Sequence, residues 1–253
     1  MSAAPAAALG TPRLHLRRTD STNERARELA AAGAPHGSIV TADEQTAGRG
    51  RQGRQWSAPP GSSLLLSVVL APASRMLPLA AAVAVCDAVD TAAAGSRAQI
   101  KWPNDIVLPA GQCLAKLAGI LVEARPQQGW AVLGIGLNAA VDLAALPAEL
   151  HDTAATLGLG PEALEPLLAS LLAALSRRLA ERPEATLAAW RERDALRGRT
   201  IEWGPAPGSA ASASGSGVAQ GVDGDGRLVV ELAGGGRTAL GSGEVHLGTA
   251  AQP

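Results

Sequence analysis

Between residues 99 and 137 the chain passes through four short apolar segments, at 99–102, 106–108, 117–124 and 131–137, separated by brief stretches carrying Pro, Gly, Asn and Asp. Runs this short, with connections too brief for a crossover helix, read as successive strands joined by turns and favour an antiparallel or mixed sheet. Upstream, a short alternating run at 13–18 precedes Ser21-Thr22-Asn23-Glu24, which has the form of a capping box opening a helix to about Ala32. A strand is expected at 38–42, a polar Gly-rich loop at 43–57, a buried strand at 62–70 and a core helix at 76–94.

Pro161 at a helix start, followed by Leu164, Leu167, Leu168, Leu171 and Leu175 at core spacing, predicts helices over 161–182 and 183–196. The composition then shifts to Gly, Ser, Ala and Pro over 204–217. Short strands with glycine turns follow at 217–222, 228–232 and 238–247, which suggests a small β-barrel. The expected division is a disordered tail over 1–12, a catalytic domain over 13–197 and a C-terminal domain over 198–249.

The 253 residues include five Trp and no Phe or Tyr, so aliphatic side chains must fill the core. A net charge of -1 offers no global attraction to nucleic acid or membrane, so any cationic site has to be local. Cys86 and Cys113 lie far apart with no His cluster nearby, which argues against a disulfide framework or structural zinc and suits a reducing cytoplasm. No window supplies the roughly 20 apolar residues of a membrane span.

Four segments stand out. Gly48-Arg49-Gly50-Arg51-Gln52-Gly53-Arg54-Gln55-Trp56 interleaves three arginines with three glycines, where glycine lets backbone approach a ligand and arginine supplies forked donors for phosphate or carboxylate. A flexible basic loop or an RNA-touching Arg/Gly segment would read the same way. Lys101-Trp102-Pro103-Asn104-Asp105 lies between two strands and is either a plain turn or a phosphate and magnesium site. Lys116 opens the apolar run Leu117 to Glu123 and is, alone, an ordinary solvated lysine. Gly134-Ile135-Gly136-Leu137-Asn138 puts two glycines inside a strand, which a bulge or a ligand close to the backbone would explain. His15, His36, His151 and His246 are scattered and read as surface or structural residues.

In this order and register, the four segments resemble the biotin–protein ligase family from about Ser21 to Asn138, with echoes in Gly221-Val222-Asp223 and Gly243-Glu244-Val245. The resemblance implies an α+β fold: a mixed, largely antiparallel sheet with flanking helices, like class II aminoacyl-tRNA synthetases, plus a small C-terminal SH3-like β-barrel. It implies formation of biotinyl-5'-adenylate from biotin and ATP with Mg2+, then transfer of biotin to a lysine of the biotin carboxyl carrier domain of a carboxylase. It assigns biotin to Ser21, Thr22, Asn23, Gln45, Gly48, Arg49, Arg51, Lys116, Gly119, Gly134 and Gly136. Lys116 and Arg51 then act at the reacting centre. Arg54, Trp56, Lys101, Asn104, Asp105 and Asn138 are expected around ATP, with Asp105 as the metal candidate.

Only about 12 residues precede the first expected strand, so a monofunctional enzyme without a helix-turn-helix is expected, together with a weak or ligand-linked homodimer through a sheet edge. The other readings are a lipoate–protein ligase and, from a different class, an RNA-binding module using the Arg/Gly loop. The Ser21, Thr22 and Gln45 set favours biotin over lipoate, and the chain lacks the Phe and Tyr platforms of an RNA binder.

Overall fold

The computed structural model describes residues 9–204 and 214–248. Most of the expected N-terminal tail and of the Gly/Ser-rich 204–217 segment therefore lies outside the described residues. The elements run β1 (Arg13–Thr19), α1 (Thr22–Ala31), β2 (Ile39–Gln45), β3 (Ser63–Leu70), α2 (Leu77–Ala92), β4 (Gln99–Lys101), β5 (Asp105–Ala110), β6 (Cys113–Arg125) and β7 (Trp130–Asn138). They continue with α3 (Leu164–Ala180), α4 (Pro183–Glu192), β8 (Thr200–Gly204), β9 (Gly215–Val222), β10 (Leu228–Glu231), β11 (Arg237–Leu240) and β12 (Glu244–Leu247).

The first seven strands form one sheet in the order β1-β2-β3-β7-β6-β5-β4. The β1–β2 pair, bridged by α1, is parallel, and every other neighbour pair is antiparallel. The sheet is thus mixed and largely antiparallel, as expected.

Because side chains alternate across a strand, β3 sends Leu64, Leu66, Val68 and Leu70 to one face, where α2 and α3 cover them with alanines, valines and the buried leucines Leu167, Leu168, Leu171 and Leu175. Each large aliphatic group buried there contributes about 1.5–3 kcal/mol, so a core without Phe or Tyr suffices. Ser63, Leu65, Ser67 and Val69 face the other way, where α1 packs Ala26 and Ala30 against Val40, Val69 and Val132.

Three expectations are corrected. Ser21 does sit at the N-cap of α1, but its side chain caps nothing, and Glu24 turns instead to Arg27 and Arg49. The open N–H of Thr22 is met from another element, by Gln45 Oε1 at 2.8 Å. Gln45 itself ends a strand rather than opening a loop. In the C-terminal region, an unforeseen strand β8 joins the set, and Gly241 to Gly243 split the expected 238–247 strand into β11 and β12. These five strands form an antiparallel sheet in the order β11-β10-β9-β8-β12, with no pairing between β11 and β12 among the described residues. Its inner residues, Ile201, Ala219, Val222, Leu228, Val230 and Val245, join the same core as α2 and α3.

Asp87 of α2 braces the helical layer: Arg177 and Arg178 of α3 reach one of its oxygens at 2.7 and 2.8 Å, and Arg193 beyond α4 the other at 3.0 Å. Burial pushes this carboxyl up, yet the three guanidiniums win and hold it below the usual carboxylate range. A depressed folded pKa means stability present above the unfolded value and lost as pH falls through the folded one. Asp87→Asn should therefore cost about 2 kcal/mol at pH 7, an ion-pair loss moderated by partial exposure. Denaturant titrations at successive pH values should show that difference shrinking below about pH 4.

Candidate active site

The parity that fills the core on one face empties the other. Gly136 pairs with Leu65 and Gly119, Gly119 pairs with Asp105, and Asp105 pairs with Lys101, so one row across four strands carries two missing side chains and then two charges. The next row sets Gly134 between Ser67 and Leu121. The three glycines make a smooth floor with α1 at one end and the charges at the other.

The Gly-rich loop covers this floor. It is a hairpin closed by an Arg49–Gln55 bridge and by hydrogen bonds from Gly50 N to Arg54 O (2.7 Å) and from Trp56 N to Gly48 O (2.9 Å). Its tip is a single helical turn, Arg51–Gly53, in which Gln52 adopts a left-handed φ of 57° that costs a non-glycine residue about 1–2 kcal/mol. From the hairpin's return arm, Trp56 lies directly on the floor. A Cβ at Gly136 would come within 2.5 Å of its ring, and one at Gly119 within 3.0 Å. Its buried Nε1 has no hydrogen-bond partner.

Each loop arginine is held differently. Arg49 turns to Glu24 of α1 at 2.8 Å. Arg51 donates to Asn104 Oδ1 at 3.0 Å, and Asn104 is itself anchored by donating its Nδ2 to Ile120 O at 3.0 Å. Arg54 pairs with Glu244 of β12, which ties the loop to the C-terminal sheet. Lys116 meets Asp105 at 2.7 Å and lies 5.7 Å from the centre of the Trp56 ring.

One pocket is lined by Ser21, Thr22, Asn23, Gln45, Arg49, Arg51, Arg54, Trp56, Lys101, Asn104, Asp105, Lys116, Gly119, Gly134 and Gly136. Two candidates stand apart from it. A Cβ on Gly48 would meet Trp56 O at 2.5 Å and Gln45 Nε2 at 2.8 Å, so this glycine serves the base of the hairpin. Asn138 is buried, its Oδ1 accepting from Ser63 at 3.2 Å and its Nδ2 donating to Ala155 O at 3.1 Å. The lining also includes residues that sequence reasoning did not place there: Gln52, Gln55, Trp102, Ile120, Leu121, Ile135 and the β12 edge from Gly243 to His246. His246, expected to be a surface or structural residue, lies on this rim 3.5 Å from Glu244.

Four cationic side chains, Arg51, Arg54, Lys101 and Lys116, thus face two carboxylates, Asp105 and Glu244. Burial lowers the pKa of Arg51, with Asp105 opposing and Arg54 adding to the effect. Burial likewise lowers the pKa of Lys101, with Asp105 opposing and Lys116 and Arg54 reinforcing it. Cations destabilised by burial and by one another are a site short of anions. Among the described residues no group of three or more His, Cys, Asp or Glu could hold a metal ion.

The site is thus a hairpin-covered slot, polar at one end and cationic at the other, on a mixed sheet with flanking helices. Residues 15–139 match the biotin/lipoate A/B protein ligase family model. The chain is 34% identical over 250 residues to the biotin–[acetyl-CoA-carboxylase] ligase of Paracoccus denitrificans, covering 92% of this chain and 99% of that one. It is 40% identical over 145 residues to the bifunctional ligase/repressor BirA of Bacillus spizizenii, a match to 54% of this chain but only 43% of that protein. In fold it is similar to the biotin protein ligase of Aquifex aeolicus in complex with biotin and ATP, with a TM-score of 0.78 at 23% identity over 94% of this chain and 100% of that one. The chain belongs to the biotin/lipoate A/B protein ligase family.

The lowered Lys101 pKa carries a sign. A bound polyphosphate favours the ammonium, so above the lowered pKa binding has to take up a proton. Affinity for inorganic tripolyphosphate, followed by calorimetric titration, should begin to fall with rising pH before the ordinary lysine value near 10.4 is approached. Lys101→Arg should push that decline to higher pH.

Proposed function

We propose that this chain joins biotin to ATP as biotinyl-5'-adenylate and transfers the biotinyl group to a lysine of a biotin carboxyl carrier domain. The observation that carries this reading is the glycine floor running from a buried polar set into a cluster of cations. The bicyclic ring needs a flat apolar bed and short polar partners for its ureido group, which Ser21, Thr22, Asn23 and Gln45 supply. The valeryl chain then leads its carboxylate past Trp56, whose ring fills the space over Gly136 and Gly119, towards Lys116.

In the first step a carboxylate oxygen attacks the α-phosphorus, and the bond to the β-phosphate bridging oxygen breaks, releasing pyrophosphate. Two like charges about 4 Å apart repel by about 4 kcal/mol at an effective dielectric of 20. Lys116 and Arg51 offset that repulsion at the junction. Arg54 and Lys101 take the outer phosphates, for which Arg54 exchanges its Glu244 partner. Trp56 offers its ring to the nucleotide.

Asp105, with Asn104 beside it, fits magnesium entering with the triphosphate, because that ion is commonly held by one or two carboxylates plus phosphates. When bound it would screen the phosphate charge. In the second step the acceptor amine attacks the acyl carbon and AMP leaves. The hairpin excludes water in the interval, which matters because an acyl adenylate hydrolyses readily.

We read the C-terminal sheet as the expected SH3-like barrel, with the irregular β9–β10 pairing at Val229 and Val230 supplying its bend. The free thiols Cys86 and Cys113 suit a reducing cytoplasm. The outer edge of β1 offers a sheet-edge surface for a weak homodimer. Among the described residues no helix is long and apolar enough to cross a membrane.

Exchange of labelled pyrophosphate into ATP tests the reading. It should require biotin, and lipoate should not replace it; exchange with lipoate alone would overturn the substrate assignment. Arg51→Gly should release adenylate into solution and label bystander lysines, whereas tight retention with unaltered target selectivity would remove Arg51 from the reacting centre.

A further inference from the structure

At the polar end of the slot, hydrogen-bond direction can be assigned atom by atom. Gln45 accepts from the backbone N–H of Thr22 at 2.8 Å, so the atom it presents there is its carbonyl oxygen. Asn23 donates Nδ2 to Glu123 Oε2 at 2.9 Å, and a carboxylate can only accept, so its carbonyl oxygen points the other way. That oxygen lies over Gly134, where a Cβ would come within 2.1 Å, and 2.6 Å from Ser67 Oγ. Ser67 Oγ is also 2.9 Å from Thr22 Oγ1, which is 3.0 Å from the Gln45 oxygen.

Three oxygen–oxygen contacts are therefore served by two hydroxyl protons, those of Ser67 and Thr22. One contact always lacks a proton, and Thr22, Asn23 and Ser67 are buried, where water does not readily make up the shortfall. Turning the Asn23 amide over would cure it, because Nδ2 would then donate to Ser67. Glu123 prevents that turn, since it would set the amide oxygen against the carboxylate.

We propose that Glu123 is a positioning residue that locks the Asn23 amide and so keeps the slot one donor short, selecting a ligand that brings N–H groups. The inference rests on the biotin reading and deepens it. A ureido ring carries two N–H donors, and a dithiolane carries none. Glu123 needs no contact with substrate to act in this way. Arg49 and Arg27, at 3.9 and 3.7 Å from its other oxygen, help hold it in place.

The test is E123Q, which keeps the shape and lets residue 123 donate, so that Asn23 can turn over. The KM for biotin should rise on the order of tenfold, the worth of about one hydrogen bond. The KM for ATP and the melting temperature should stay close to wild type, and the preference for biotin over lipoate should fall by the same factor as biotin affinity. The exchanged pair N23D/E123Q restores an acceptor-only group over Gly134 and should recover most of the loss. An unchanged biotin KM in E123Q overturns the proposal. So do equal changes in both KM values with a lowered melting temperature, failure of E123Q to fold, or no recovery in the exchanged pair. Absence of biotin-dependent exchange in the wild-type chain instead removes the underlying reading, and this inference with it.

Discussion

The site depends on an absence: three positions on one face of β6 and β7 carry no side chain. Strand alternation fixes which face that is, because the neighbours of Gly134 and Gly136, namely Leu133, Ile135 and Leu137, must reach the helical core. A shift of one residue in register would bury the glycines and expose the leucines. The packing that stabilises the fold therefore also decides where a ligand can lie. The hairpin above the floor takes its position from the same gap, since Trp56 rests where side chains of Gly119 and Gly136 would stand.

Charge then divides the slot. At the α1 end, polar groups are buried and occupied with one another, so selectivity there is a matter of hydrogen-bond direction. At the β4–β5 end, cations outnumber carboxylates, and each of the principal ones has a partner that an incoming anion can replace: Asp105 for Lys116, Asn104 for Arg51 and Glu244 for Arg54. Two of these partners, Asn104 and Glu244, tie the loop to the β4–β5 turn and to β12. Glu244 adds a further consequence, because it belongs to the C-terminal sheet and makes that sheet part of the site.

Much of this was legible in the residue string, for reasons that can be named. Glycines inside an apolar strand cost stability, so Gly134 and Gly136 pointed to a bulge or a close approach, and the fold shows the latter, with Asn23 and Trp56 against them. The loop arginines were legible as candidates for anion binding, but not in the three different partners they take. The turn of Arg49 depends on Glu24 and Glu123, which only the fold brings near. Ser21 and Glu24 matched a local capping pattern, yet Gln45, distant in sequence, met the open N–H instead. Asn138 resembled a ligand residue and is a buried tie between β3 and the loop beyond β7. Ser67 did leave a signal, a hydroxyl in an otherwise aliphatic run, whereas Glu123, closing the apolar run from Leu117, left none. Strand β8 was missed because its five residues abut the Gly/Ser-rich stretch that dominates the local composition.

The missing Phe and Tyr have a practical sequel. All near-ultraviolet emission from this chain comes from its five indoles, at 56, 102, 130, 190 and 203. Two of these, Trp56 and Trp102, line the slot, and Trp56 sits beside an ammonium on a bed of bare backbone. The molecule thus carries its own unlabelled optical gauge of the hairpin, readable without a dye.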